Sequence, residues 1–138
     1  MTYLESGQLP VVGTKHSQLI EITENSIQMY VALCGDDAPV HVDSEFARSK
    51  GFESPICHGM LLGSFVSTAL GTRLPGKHSV LKTINLNFRN AVTYPCTVQL
   101  HVQVAKVFES VGMVRLAIEI LSEAGVTLAN GSAECIVQ

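Results

Sequence analysis

The stretch "HGMLLGSFVSTALG", residues 58–71, decides how the rest of this chain must fold. Met60, Leu61, Leu62, Phe65, Val66, Ala69 and Leu70 cover nearly the whole circumference of a helix. No charged side chain occurs from Gly59 to Thr72. A helix that is apolar on almost every side belongs inside a fold, not on its surface. It is too short to span a bilayer. Something else in the chain must therefore wrap it.

The wrapping follows Leu74-Pro75-Gly76, where the chain changes from mainly helical patterns to strands. Ile84, Leu86 and Phe88 alternate with Thr83, Asn85, Asn87 and Arg89. Val98, Leu100, Val102 and Val104 alternate with Gln99, His101 and Gln103. Val114, Leu116, Ile118 and Ile120 alternate with Arg115, Ala117 and Glu119. Such period-two patterns describe antiparallel strands with one apolar and one wet face. "ESVGM" and "SEAGV" carry hairpin turn residues. "VTLANGSAECIVQ" reads as a last strand, bulged near Gly131. A long antiparallel sheet buries its apolar face by curling around the one buried helix. The fold class is α+β, a hotdog arrangement, as a single domain over residues 1–138.

Upstream of the helix, "TKHSQLIEI" (14–22) reads as a first strand. Ile27, Tyr30, Val31 and Cys34 then share one helix face. Thr23 is placed to cap that helix and Gly35 to end it. Asp43 or Ser44 can cap a second, short helix, "EFARSKG", that Gly51 terminates.

Between these two helices lies "GDDAPVH", residues 35–41. Pro39 biases Ala38 away from helical torsions, so the first helix ends near Gly35. Asp36 then stands at the negative end of the helix dipole, against local preference. Across the proline turn, Asp36 and His41 can converge on one point. A carboxylate and an imidazole around one water form an acid–base pair. A free aspartate is a weak base, and this reading expects Asp36 to be buried beside the apolar helix. A polar turn is the plainer reading of the heptapeptide taken alone.

"SPICHGML" adds the second element. Gly59 lies at the mouth of the buried helix, where glycine allows close approach of a ligand. First-turn N–H groups suit a developing negative oxygen, such as a thioester carbonyl becoming an enolate. His58 reads as a supporting residue that caps or packs at the helix entry. Ser67, two turns into the helix, either bonds its own backbone or reaches Asp36.

Composition narrows the remaining classes. The 138 residues are 46% hydrophobic with a net charge of -3 and no basic cluster, which argues against disorder and against nucleic acid as a partner. No run suits a membrane span, and the first residues lack the pattern of a signal peptide. Four scattered cysteines (Cys34, Cys57, Cys96, Cys135) without close pairs suggest reduced, mostly buried thiols in a cytoplasmic protein and no zinc site. No phosphate loop or nucleophile elbow is present.

Residues 34–77, "CGDDAPVHVDSEFARSKGFESPICHGMLLGSFVSTALGTRLPGK", resemble the MaoC-like hydratases, especially the short (R)-specific enoyl-CoA hydratases also called hydratase 2. The sheet region matches more loosely, by pattern. The resemblance implies a hotdog fold, a homodimer, no cofactor beyond a substrate carried as a CoA thioester, and syn addition of water to a trans-2-enoyl thioester. It implies Asp36 and His41 as the water-activating pair, Gly59 as the N–H donor to the thioester oxygen, and Ser67 as support for the acid. One position departs from the pattern. Ala38 stands where the family usually has asparagine before the proline.

Two other readings stay open on the sequence alone. A dehydratase acting on carrier-protein-bound or specialised acyl thioesters could use the same pair. A thioesterase or another dehydratase type would place a carboxylate on the central helix, and residues 59–70 hold none. A non-catalytic acyl-CoA-binding subunit would fit Ala38 but not the presence of both Asp36 and His41. Arg48, Lys50, Arg73, Lys77 and Arg89 are unranked candidates for the CoA phosphates.

Overall fold

The computed structural model describes residues 4–138; the remainder of the domain expected over 1–138, residues 1–3, lies outside the described residues. The elements run β1 (Lys15–Ile22), α1 (Glu24–Cys34), α2 (Pro39–Val42), α3 (Ser44–Ser49), α4 (Gly59–Thr72), β2 (Ser79–Phe88), β3 (Cys96–Phe108), β4 (Met113–Ser122) and β5 (Thr127–Val137). Local chemistry sets the helix ends. Thr23 Oγ1 accepts from the Ser26 N–H, and the Ser26 hydroxyl accepts from the Thr23 N–H, a reciprocal cap. Gly35 closes α1 in the left-handed region at φ 80°. Asp43 caps α3 by accepting from the Glu45 and Phe46 N–H groups.

The five strands form one antiparallel sheet in the order β1-β3-β4-β5-β2. Its inner face supplies Val98, Leu100, Val102 and Val104 from β3, and Val114, Leu116, Ile118 and Ile120 from β4, all buried as the alternation requires. Leu100 stands opposite Ile120 and Val102 opposite Ile118, so each pair packs side by side. Leu61, Leu62, Val66, Ala69 and Leu70 of α4 complete the core. Each fully buried aliphatic side chain contributes roughly 1.5–3 kcal/mol. This is the hotdog arrangement read from the sequence. Among the described residues, no helix is long and apolar enough to cross a membrane.

Several local features differ from expectation. The irregularity of β5 lies at Leu128, where Ile120 pairs with Ala129 but Leu121 pairs with Thr127. Gly131 itself sits in regular register, opposite both Leu86 and Ile118. It is glycine because a Cβ there would fall 1.8 Å from the Asn85 carbonyl oxygen. The helix α4 is not buried on every side: Met60 is 61% exposed, and Ser64, Ser67 and Thr68 face outward. The sheet curls around one side of α4 only. Beyond it, edge strand β2 leaves Val80, Ile84 and Phe88 exposed, although Ile84 and Phe88 match the same alternation as β3 and β4. Of the four cysteines, all free, Cys57 and Cys135 are buried, Cys96 is half-buried and Cys34 is exposed.

Candidate active site

The short helix α2 is what brings the acid and the imidazole together. Pro39 opens it, with a fixed φ suited to a first helical turn. Ala38 is extended at φ -48° and ψ 130°, so the chain reverses between Gly35 and Pro39. Asp36 folds back over this turn, its Oδ1 accepting from the Ala38 N–H at 3.3 Å. His41, five residues on, returns to the same place. Side-chain ligand atoms of Asp36, His41 and His58 all lie within 4.8 Å of one another.

His41 is anchored on both sides. Its Nδ1 lies 2.8 Å from the Ile56 carbonyl oxygen, and a carbonyl can only accept. The proton is therefore on Nδ1, which leaves the Nε2 lone pair free to accept. The Tyr94 hydroxyl donates to the His41 carbonyl at 2.5 Å. Burial, reinforced by Cys57 and Glu24, pushes the Tyr94 phenol up, which keeps it a donor. Ile56 N–H in turn donates to the Val40 carbonyl, and Cys57 N–H to the Val92 carbonyl. Residues 56–57 are thus stitched to α2 on one side and to the strand approach at 92–94 on the other.

That stitching aims the start of α4. Gly59 is its first residue, and the Gly59 N–H has no hydrogen-bond partner among the described residues. A Cβ on Gly59 would meet the Phe88 ring at 3.0–3.1 Å, so the absent side chain is what lets β2 close over this helix end. A cleft of about 320 Å³ opens here, lined by His41, Cys57, Gly59, Leu62, Phe88 and Arg89 among others. Of the five basic residues named above for the CoA phosphates, Arg89 lines this cleft. The Cys57 thiol also faces it but is pushed up by its hydrogen bond to Cys96, 4.0 Å away, and by burial, which makes it a poor nucleophile.

His58 is buried at 2% exposure. Its ring stacks on His41, with centroids 3.9 Å apart and planes at 26°. Asp36, His41 and His58 include enough donor atoms for a metal. Stacked rings, however, direct their lone pairs side by side and not at one point, which suits a tetrahedral ion poorly.

Two expectations meet a different geometry. Asp36 is exposed in this chain, so no apolar surround buries its carboxylate. Ser67 lies eight residues beyond Gly59, roughly 12 Å along the helix axis. It lines a separate groove with Met60, Ile84, Leu86 and Phe88. The sequence reading passed over Ile56 and Tyr94. Nothing in one sequence signals a carbonyl or phenol that meets a residue far along the chain. The missed helix α2 did carry a signal, proline at a first helical position.

Comparison with known proteins agrees with this architecture. The family model described as "MaoC like domain" matches residues 8–121. An (R)-specific enoyl-CoA hydratase of Aeromonas caviae is 34% identical over 128 residues, covering 93% of this chain and 96% of that one. A 3-hydroxybutyryl-CoA dehydratase of Methylorubrum extorquens is 34% identical over 97 residues, 70% of this chain and 62% of that one. Among solved structures, the (R)-hydratase from A. caviae involved in PHA biosynthesis superimposes with a TM-score of 0.90 at 32% identity, covering 95% of this chain and 99% of that one. With fold, cleft and sequence in agreement along most of its length, this chain belongs to the MaoC-like domain family of hotdog hydratases and dehydratases.

Proposed function

We propose that this protein is an (R)-specific enoyl-CoA hydratase that adds water reversibly to trans-2-enoyl-CoA. The observation that carries the reading is that the Asp36 carboxylate lies within 4.8 Å of a ring nitrogen of His41, while His41 and the unpartnered Gly59 N–H share one cleft. One water donates a hydrogen to each acceptor, which leaves its own lone pair directed at substrate C3. As the oxygen bonds to C3, Asp36 takes one water proton and the π electrons move through C2 onto the thioester oxygen. The Gly59 N–H and the positive end of α4 stabilise that oxygen. The protonated Asp36 then returns its proton to C2 from the same face, so the net addition is syn. All steps reverse for dehydration. Arg89, at the cleft, is placed to meet a phosphate of the CoA.

The active unit on this reading is a homodimer. A ten-residue edge strand with exposed Val80, Ile84 and Phe88 is a face that pairing with a second copy would cover. The same pairing would place new surface over the exposed Ser67, which shares a groove with Ile84 and Phe88. Light scattering is expected to give twice the chain mass at micromolar concentration; monomer alone would contradict the dimer. Four free thiols suit a reducing, cytoplasmic setting.

The function is tested by mixing the protein with crotonyl-CoA and with a medium-chain trans-2-enoyl-CoA. Loss of the enoyl-thioester absorbance with (R)-3-hydroxyacyl-CoA as product is the expected result. The (S) product, or turnover only of carrier-protein thioesters, would replace this reading with the corresponding alternative.

A further inference from the structure

We propose that His58 is a positioning residue: its imidazole ties the backbone of Asp36 to the start of α4 and backs the ring of His41, so acid, imidazole and Gly59 N–H keep one spacing. This rests on the hydratase reading above. Three observations converge on it. His58 is the N-cap of α4, yet it makes no side-chain cap. Residues favoured at that position accept from first-turn N–H groups. His58 instead directs Nε2 away from its own helix, 2.8 Å from the Asp36 carbonyl oxygen. That carbonyl follows Gly35, just past the end of α1, where main-chain acceptors lack helical partners. A local rule is broken at His58, and the hydrogen bond made in its place lies at the proposed catalytic acid.

The ring is also held by two aromatic neighbours. Tyr30 of α1 packs against it, tilted, at 4.7 Å, and His41 stacks on it at 3.9 Å. One buried side chain therefore touches or begins each element that carries a reacting group. The arrangement has a cost, because His58 Nδ1 is buried without a hydrogen-bond partner among the described residues. A buried polar atom left unsatisfied calls for a reason beyond packing. The tether supplies one. A phenylalanine would fill the same space without an idle nitrogen, but it would release Asp36.

Two variants separate tethering from packing. His58→Phe keeps an aromatic ring between Tyr30 and His41 and removes the donor. His58→Gln returns an N–H at similar reach. With crotonyl-CoA, His58→Phe is expected to lose about 100-fold in kcat with KM changed by less than about 2-fold, since misplacing a catalytic group by an ångström costs this much. His58→Gln is expected to recover to within about 10-fold of the parent. A folded His58→Phe protein with parental kcat, or a Gln variant no better than Phe, would overturn the proposal. Nitrogen-15 spectra of the parent's imidazoles judge the tether without turnover. A slowly exchanging proton on His58 Nε2 supports it, and a proton on Nδ1 with Nε2 bare overturns it. If the parent hydrates no enoyl thioester, the functional reading fails while the spectra still decide the tether.

Discussion

The central strands β3 and β4 and the segment from Asp36 to Gly59 serve the same helix, α4, but they are ordered by different forces. The strands present Val98 to Val104 and Val114 to Ile120 as alternating buried side chains, and their order comes from apolar area removed from water. The segment buries Ala47, Cys57 and His58 but leaves most of its other side chains partly or fully exposed. Asp36, Pro39 and Val42 are exposed. Its order comes from a few hydrogen bonds aimed at main-chain carbonyls: His41 to Ile56, His58 to Asp36, Tyr94 to His41 and Ile56 to Val40. The difference teaches where stability and chemistry are stored. A net hydrogen bond contributes only about 1 kcal/mol to folding, but it can fix a catalytic atom to a fraction of an ångström. Substitutions in the segment should therefore cost turnover and spare the fold, and substitutions in the sheet should do the reverse.

The sharpest separation is expected at His41. His41→Gln should lower kcat by about 100- to 1,000-fold, the usual worth of a positioned acid–base group. Its thermal melting should stay close to the parent's, because the imidazole is only half-buried. A large fall in melting temperature would break the comparison. Gly131→Ala is the counterpart in the sheet. The new Cβ would lie 1.8 Å from the Asn85 carbonyl oxygen, so β2 and β5 must part. Urea unfolding should show a loss of roughly 3 kcal/mol, as for other overpacked interiors. The protein that remains folded should turn over at the parental kcat.

A smaller effect tests the join between the two regions. Tyr94→Phe removes the donor to the His41 carbonyl and keeps the ring. We expect about a 10-fold fall in kcat, with a change in stability near ~1 kcal/mol. Unchanged kcat would mean that Ile56 alone holds His41. The smallest expected effect is on pH. Burial pushes the Cys135 thiol from 9.0 up to about 11, so folding favours its protonated form. The contribution is complete below pH 9 and is lost as pH rises through about 11. The melting temperature should fall across that interval, and less steeply in Cys135→Ala. Equal slopes would remove Cys135 from the account.

What could be read from the sequence follows the same division. Period-two alternation located β3 and β4, and the uncharged run from Gly59 to Thr72 located α4, because burial leaves a repeating mark on a sequence. The alternation could not tell Ile84 and Phe88 from Val102 and Ile118. An apolar side chain left exposed on an edge strand looks the same in a sequence as one already in a core. In the site, Asp36, His41 and Gly59 could be singled out as candidates because proline, helix ends and glycine are local signals. Ile56 and Tyr94 were not, because their contribution is a carbonyl or hydroxyl meeting a distant segment. Ser67 was legible as a polar residue on an apolar helix, but which groove it would line depends on the distant strand β2. Ala38, which departs from the pattern that the resemblance implies, donates its N–H to the Asp36 carboxylate.

The most direct test of the account compares the parent with Asp36→Asn on crotonyl-CoA, following absorbance and product chirality in one assay. The substituted amide keeps the size and an acceptor oxygen for the Ala38 N–H but cannot take a proton from water. The account predicts (R)-3-hydroxybutyryl-CoA from the parent and a loss of about 1,000-fold or more in Asp36→Asn, with both proteins melting alike. Undiminished hydration by Asp36→Asn would contradict the account, because the water would then be activated elsewhere.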